Sequence, residues 1–237
     1  MTPRKQSQIA EREAAILEIA SDIISREGAH ALTMERVLAR VDFSKGTLYN
    51  HFTCREDLLV AVHAQCFEAH LSYFERGALF RGCPRERFAA AGMGAQIMHE
   101  LDPRPFQFSL NDTILAVASE RWRELFRHYH RETIAVFTGI VRDALARGDL
   151  PAGTDPERVT LGVWSLSCGA EDIHESGLLP QRLTAEDFNR LRSQLIETLL
   201  DGFGWHPLSS ELDYAQARER ILREIFPDEA RKLGLLR

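Results

Sequence analysis

The stretch that decides the fold runs from Thr33 to Leu58 and reads TMERVLARVDFSKGTLYNHFTCREDL. Thr33 and Ser44 are residue types whose side chains accept hydrogen bonds from the free N–H groups at the start of a helix, so each is predicted to be an N-cap. Ser44 opens a short helix over Lys45–His51, and a third helix begins a few residues later. Two short helices joined by a turn indicate a helix-turn-helix, whose second helix enters the DNA major groove.

The turn between the two short helices is predicted to use Asp42 at a position where helix-turn-helix units most often have glycine. Aspartate tolerates the left-handed backbone region better than most residues do. We therefore expect a positive φ at Asp42. Phe43 is expected to fill the space between the two helices.

The first turn of the second helix carries residues suited to reading bases. Lys45 can donate to O6 or N7 of guanine, and Thr47 can contact a thymine methyl group or a phosphate. Gly46 has no side chain to hold the backbone away from DNA. Tyr49 and His51 lie on other faces, where they can donate to phosphates. Each alone is more often a solvated surface residue, but together, behind a capped turn, they predict contact with DNA.

This stretch resembles the N-terminal signature of TetR-type bacterial transcriptional repressors. The matching positions are Thr33-Met34, Val37, Ser44-Lys45-Gly46-Thr47-Leu48-Tyr49, His51-Phe52 and Glu56-x-Leu58. They lie within roughly the first quarter of the chain. Two positions depart from the signature, since Asp42 replaces the usual glycine and Leu38 stands where alanine is common.

The resemblance implies an all-α homodimer with two domains. Residues 1–58 would form a three-helix helix-turn-helix head, and residues 59–237 a larger helical body for ligand binding and dimerisation. The implied function is that of a transcriptional regulator rather than an enzyme. It would be a repressor that a small, largely apolar effector releases from a pseudo-palindromic operator in double-stranded DNA.

The resemblance also adds DNA contacts to those argued from residue chemistry. Arg55 stands where the family often has a phosphate-binding lysine. The full set of predicted DNA contacts is Thr33, Ser44, Lys45, Gly46, Thr47, Tyr49, Asn50, His51 and Arg55.

Composition predicts a globular protein without general affinity for nucleic acid. Of the 237 residues, 44% are hydrophobic, which is enough for a sizeable core, and the formal net charge is −6. DNA binding must therefore come from a local patch. Residues 30–55 carry four arginine or lysine side chains against two carboxylates, a modest local excess of positive charge.

Targeting signals and cysteine usage favour a cytoplasmic protein. The polar N-terminus shows no apolar leader, and no run of about 18 apolar residues predicts a membrane span. None of the four cysteines forms a Cys-x-x-Cys pair, so reduced thiols are expected.

The N-terminal segment is predicted to be a loose arm followed by an amphipathic helix. Residues 1–8 are polar, and apolar residues then recur at helical spacing from Ile9 to Glu27. Gly28 fits the C-cap of that helix. The helix is expected to form the floor of the helix-turn-helix.

The middle of the chain is predicted to contain helices rich in large apolar side chains. The helix from Cys54 to Glu68 connects head and body in the family, and a long helix is predicted from Ser119 to Arg147. Ligand sites are mostly apolar with a few polar groups, although such residues equally form an ordinary core. The pocket candidates are Met93, Ile97, Phe108, Trp122, Phe126 and Phe137.

Two apolar helices near the C-terminus are predicted to form the dimer interface. Asp155 and Thr184 are their expected N-caps. Two such helices from each subunit suit a four-helix interface, and packing within one chain is the alternative. The predicted interface residues are Val159, Val163, Leu166, Ala170, Ile173, Phe188, Leu191, Leu195 and Leu199.

A helical metalloenzyme is one alternative class. Glu171-x-x-His174 matches the metal-binding pair of di-iron bundles, but the other Glu-x-x-His, starting at Glu27, spans a helix end. The chain has no phosphate loop, Gly-x-Ser-x-Gly or His-Glu-x-x-His motif. An adaptor that uses the helix-turn-helix for protein contacts is the other alternative.

His63, Cys66 and His70 share one face of a predicted helix and are residue types that bind zinc or copper. Ordinary side chains on a partly buried helix are the commoner explanation of this spacing. We therefore expect neither a metal nor a cofactor.

Overall fold

The computed structural model describes residues 3–102, 110–176 and 183–236, and these residues form helices without a strand. The all-α prediction is confirmed. The helices are α1 (Pro3–Glu27), α2 (Met34–Leu38), α3 (Lys45–His51), α4 (Arg55–Ala78), α5 (Pro84–Leu101), α6 (Asp112–Val117), α7 (Glu120–Arg147), α8 (Pro156–Glu175), α9 (Ala185–Gly202), α10 (Tyr214–Glu224) and α11 (Pro227–Lys232).

The chain divides into two compact units. The first comprises Met1–Leu71 with Met98–Glu132, and the second Ser72–Ile97 with Thr133–Arg237. The first unit therefore includes more of the chain than the 58 residues predicted for the head. It takes in the first part of α4, all of α6 and the start of α7.

The core of the first unit forms where the apolar stripe of α1 meets the helix-turn-helix. Ile16, Ala20 and Ile23 are completely buried, as expected from their helical spacing. Leu48 and Phe52, one helical step apart, are also completely buried. α2 and α3 therefore pack on α1.

The predicted N-caps of the helix-turn-helix are confirmed. The Thr33 side chain accepts a hydrogen bond from the N–H of Arg36 at 3.2 Å. The Ser44 hydroxyl accepts from the N–H of Thr47 at 3.3 Å. Gly28 has a φ of 86°, which only glycine adopts without strain, and ends α1 as predicted.

The prediction for Asp42 is wrong. No non-glycine residue in the described ranges has a positive φ, and Asp42 is among those residues. α2 ends at Leu38, and residues 39–43 form a turn and a bend before Ser44. The reversal is spread over several residues, so no single one needs the left-handed conformation.

Several predicted helix bounds shift. The loose arm is corrected to helix from Pro3 onward, and α4 extends ten residues beyond the predicted end at Glu68. After α9 the chain forms a 3-10 turn over Ser209–Glu211, then α10 and α11. Local apolar spacing locates each of these helices but does not determine where it ends.

The start of α7 is held against the helix-turn-helix by buried contacts. The rings of Phe52 and Trp122 stack with centroids 4.8 Å apart. The carboxylate of fully buried Asp57 accepts from the N–H and hydroxyl of Thr53, each at 2.8 Å, and from the N–H of Ser119 at 2.6 Å. Burial alone would raise the pKa of Asp57, but these hydrogen bonds outweigh it and lower that pKa.

The second unit has its own aromatic core. Phe137 makes edge contacts with Phe74 and Phe88, each at a centroid distance of 5.0 Å. Buried Arg85 pairs with Asp201 at 2.6 Å and donates to backbone carbonyls of α9 and of Trp205. These contacts hold α5 and α9 in one arrangement.

In the described residues, no helix is both long and apolar enough to cross a membrane.

Candidate nucleic-acid interface

The first turn of α3 presents an outward face. Ser44, Lys45, Gly46 and Asn50 are exposed, whereas Thr47 is half-buried. Inward-facing Leu48 anchors the same short helix in the core. The helix thus offers its N-terminal residues to a partner while its opposite side is fixed, as a recognition helix requires.

Gly46 is not required by the packing of the chain itself. A Cβ at this position would meet only the Ser44 hydroxyl, at an ordinary contact distance of 3.8 Å. Its φ does not fall in the left-handed region. The chain itself therefore has room for a side chain at position 46.

Lys45 and Tyr49 are four residues apart, about one helical turn, on α3. The Lys45 ammonium lies 5.4 Å from the centre of the Tyr49 ring, within the range of a cation–π contact. Tyr49 is half-buried against the core of the first unit. The Tyr49 ring therefore lies beside the ammonium of exposed Lys45.

His51 faces inward. Its side chain is 8% exposed, and its Nδ1 lies 3.1 Å from the carboxylate of Glu13 on α1. Arg121 of α7 donates two hydrogen bonds to the same carboxylate, at 2.7 and 2.8 Å. Sequence reasoning missed Glu13 and Arg121, because no local spacing relates them to α3.

Arg55 lies in a different environment from the one its sequence position implied. Its guanidinium donates to the carbonyl oxygens of Leu32 and Ala29, both at 2.8 Å. These contacts tie the start of α4 to the segment before α2. About one third of the side chain stays exposed, so Arg55 has a structural contact beside the predicted phosphate contact.

Two of the four cations between residues 30 and 55 pair with α1. Arg36 pairs with Glu27, and Arg40 pairs with Asp22 at 2.9 Å. This reduces the local positive charge that the sequence predicted for the head. Lys45 is the cation placed in the first turn of α3.

A hollow of about 370 Å³ lies in the first unit beside α3. Thr47, Asn50 and His51 of α3 contribute to it, as do residues of α1 and α7. The lining residues are Ile9, Arg12, Glu13, Thr47, Asn50, His51 and Arg121.

The predicted pocket residues fall in both units. Trp122 stacks on Phe52, and Phe126 packs against the same core. Phe137 and Ile97 are buried in the second unit, where Met93 is half-buried. Phe108 lies outside the described residues. Trp122 and Phe137 thus fill hydrophobic cores.

The predicted dimer residues separate into buried and exposed sets. Val159, Val163 and Phe188 are buried within the chain's own fold, so they offer no surface to a partner. Leu166, Ala170 and Leu199 are half-buried, and Ile173, Leu191 and Leu195 are exposed. Leu161, which was not predicted, is 65% exposed.

The side chains considered as metal ligands have other contacts. Glu171 pairs with Arg192 at 2.6 Å, and the ring of His174 stacks on Phe188. His70 Nδ1 lies 2.9 Å from the carbonyl oxygen of Cys66, one turn earlier on α4. No group of three potential ligands within reach of one metal ion occurs in the described ranges.

His63, His70 and His130 lie in a largely apolar part of the first unit. Burial, reinforced by repulsion from the other two histidines, lowers the pKa of His63 to about 3. Burial also lowers the pKa values of His70 and His130 to about 4. These rings are therefore neutral at pH 7.

The N-terminal part of the chain, which contains the helix-turn-helix, is similar in sequence to known proteins. Residues 16–62 match the family model described as bacterial regulatory proteins, tetR family. The transcriptional repressor KstR of Mycolicibacterium smegmatis is 36% identical over 77 residues, which are 32% of this chain and 38% of KstR. The transcriptional regulator UidR of Escherichia coli is 32% identical over 74 residues, 31% of this chain and 38% of UidR.

Solved structures share the fold over much more of the chain. A tetR-family regulatory protein from Rhodococcus RHA1 has a TM-score of 0.61 and 21% identity, covering 81% of this chain and 96% of its own. FadR of Bacillus subtilis, solved in complex with stearoyl-CoA, has a TM-score of 0.62 and 14% identity, covering 82% and 100%. The sequence matches thus span little more than a third of the curated relatives, and the structural matches extend the common fold to the body.

Proposed function

We propose that this chain, a TetR-type transcriptional regulator, is a repressor that binds a pseudo-palindromic operator as a homodimer and leaves it when a small, largely apolar molecule binds. The observation that carries the proposal is the geometry of α3. Its capped first turn exposes Lys45 and Gly46, Asn50 is exposed later in the same helix, and its opposite side is buried on α1. KstR, which resembles the N-terminal part of the chain, is a repressor.

A single head is expected to bind DNA weakly. Arg36 and Arg40 are paired with carboxylates of α1, so few cations remain to displace counterions from DNA. Useful affinity then requires two heads at a fixed spacing of about 34–36 Å, one helical turn of DNA, or a multiple of it. This requirement is the reason for proposing a homodimer.

The exposed apolar side chains of α8 and α9 are the proposed dimer surface. Leu161 and Ile173 of α8 are 65% and 46% exposed, and Leu191 and Leu195 of α9 are 41% and 44% exposed. Exposed apolar groups on adjacent helices favour an interaction surface, and a two-fold interface places the same surface on both subunits. Sedimentation of Leu191→Glu is expected to give monomers, whereas wild type gives dimers.

The effector is proposed to be a small molecule with a large apolar part. FadR, which shares the fold, was solved with stearoyl-CoA, so a long-chain acyl-CoA is the first compound to test. Of the predicted pocket residues, Met93 and Phe126 keep partly accessible side chains. Binding of the effector is expected to weaken DNA binding, and DNA is then expected to weaken effector binding by the same factor.

The proposed function is tested by selecting duplexes from a random-sequence pool with the full-length protein. The expected result is enrichment of one inverted repeat that binds far more tightly than unselected DNA. Acyl-CoAs of several chain lengths are then added to the complex, with free coenzyme A as the control. Failure to enrich any sequence would contradict the DNA-binding proposal, and unchanged DNA affinity would remove acyl-CoAs as effectors.

A further inference from the structure

Glu13 joins three helices of the first unit. Its carboxylate accepts two hydrogen bonds from Arg121 of α7 and lies 3.1 Å from Nδ1 of His51 on α3. The Glu13 and His51 side chains are 14% and 8% exposed, so water screens their interaction little. Burial alone would raise the pKa of Glu13, but the hydrogen bonds from Arg121 and His51 outweigh it and lower that pKa. The carboxylate is therefore an anion at neutral pH.

The hollow beside this pair is suited to a second anion. Arg12 and Arg121 contribute two positive charges to its lining against the one negative charge of Glu13. Thr47 and Asn50 of α3 add polar side chains that can donate hydrogen bonds. Because these two residues belong to the proposed recognition helix, DNA bound to α3 would bring a backbone phosphate to the hollow.

A histidine ring between two anions can donate to both only when it is protonated on both nitrogens. In the neutral ring, one nitrogen is a donor and the other is an acceptor. If Nδ1 of His51 donates to Glu13, Nε2 of the neutral ring has a lone pair, which repels a phosphate oxygen. The imidazolium donates from both nitrogens and binds both anions.

We propose that Glu13 is a positioning residue that makes DNA binding proton-dependent. It orients His51 so that, when a backbone phosphate lies in the hollow, the ring binds that phosphate as the imidazolium and donates its Nε2–H to it. This inference rests on the proposed function, since it concerns the regulation of the same DNA-binding surface.

The charges around His51 determine the direction of the effect. Glu13 of α1 favours the charged ring, whereas Arg12 of α1 and Arg121 of α7 favour the neutral one. The phosphate adds a second negative charge when DNA binds. DNA binding therefore takes up a proton at His51, and DNA affinity falls as the pH rises.

The test measures the dissociation constant of the full-length protein for its selected duplex between pH 6 and 8.5 at constant ionic strength. For uptake of one proton, the constant is expected to rise with pH and to approach about tenfold per pH unit above the titration range of histidine. Glu13→Gln and His51→Gln are expected to bind more weakly with little pH dependence, and Glu13→Asp to restore part of it. His128→Gln, which alters an exposed histidine of α7, is the matched control and should keep the wild-type profile.

A second measurement covers the case in which Glu13→Gln does not fold. Nitrogen NMR of ¹⁵N-histidine wild-type protein bound to DNA at pH 7 is expected to show both ring nitrogens of His51 protonated. A neutral His51 ring in the complex, or a wild-type affinity independent of pH, overturns the inference while leaving DNA binding established. Absence of binding to every duplex at every pH overturns the proposed function and this inference with it.

Discussion

The interior of the first unit and the outward face of α3 follow different physical rules. In the interior, Leu48 and Phe52 are completely buried, and Trp122 stacks on Phe52. On the outward face, Lys45 and Gly46 are exposed, and the chain itself has room for a side chain at position 46. Within one seven-residue helix, the residues that stabilise the core are therefore separate from those proposed to recognise DNA.

Acidification should produce the largest effect, and it should act on the interior. Between the unfolded histidine pKa near 6.5 and the folded values of about 3 for His63 and about 4 for His70, the unfolded chain binds more protons. Above about pH 6.5 both states hold these rings neutral, and the folded state keeps its full stability. As the pH falls from about 6.5 towards the folded pKa values, protonation of the unfolded chain lowers the free energy of unfolding. Preferential protonation of the two rings in the unfolded chain should lower the free energy of unfolding by up to about 5 kcal/mol between pH 6 and 4.

Urea denaturation at a series of pH values measures this loss. His63→Phe keeps an aromatic ring that cannot titrate, so it should reduce the pH dependence. The exposed-histidine variant His128→Gln should not. Equal pH dependence in wild type and His63→Phe would mean that burial of His63 does not control acid stability.

Phe52→Ala should also act on the interior. It removes a completely buried ring stacked on Trp122 and is expected to cost about 3–5 kcal/mol of stability. Phe43→Ala, at a half-buried position of the turn, should cost less. Equal midpoints of urea unfolding for the two variants would argue against the core described for the first unit.

Lys45→Ala should act on the outward face. If Lys45 reads a guanine, its loss is expected to cost about 1–3 kcal/mol of binding free energy and to relax base preference at one position. Tyr49→Phe is the contrasting change, because loss of a phosphate contact should weaken binding to all sequences alike. Competition binding with single-base variants of the selected duplex distinguishes the two, and an unaltered preference in Lys45→Ala would remove its base-reading role.

Gly46→Ala should give the smallest effect on stability, with the opposite sign. Alanine favours a helix over glycine by about 0.8–1.0 kcal/mol, and the chain has space for the new methyl group. The variant should therefore be slightly more stable yet bind DNA more weakly, because the methyl group would face the DNA in the proposed complex. A variant that binds DNA as tightly as wild type would show that the backbone at Gly46 does not approach DNA closely.

The interior of the helix-turn-helix could be predicted from sequence because its signals are local. Leu48 and Phe52 are four residues apart, and Thr33 and Ser44 cap helices through N–H groups three residues away. Asp42 is the exception, since the sequence does not reveal that α2 ends early and that the turn is spread over several residues.

The partners of the polar residues could not be predicted, because they lie far away in sequence. His51 contacts Glu13, which is 38 residues earlier, and Arg55 donates to carbonyls 23 and 26 residues earlier. Residue chemistry predicted a DNA contact for His51, and the family resemblance predicted one for Arg55. Their contacts within the protein depend on how α1 and α4 pack, which no local spacing determines.

The most direct test of the central claim is a hydroxyl-radical footprint of the full-length protein on its selected duplex. Two copies of α3 in successive major grooves predict two protected segments, related by two-fold symmetry, with centres about 10–10.5 base pairs apart or a multiple of that distance. Lys45→Ala should weaken both segments equally. A single protected segment, or protection that does not depend on sequence, would contradict a dimeric, sequence-reading regulator.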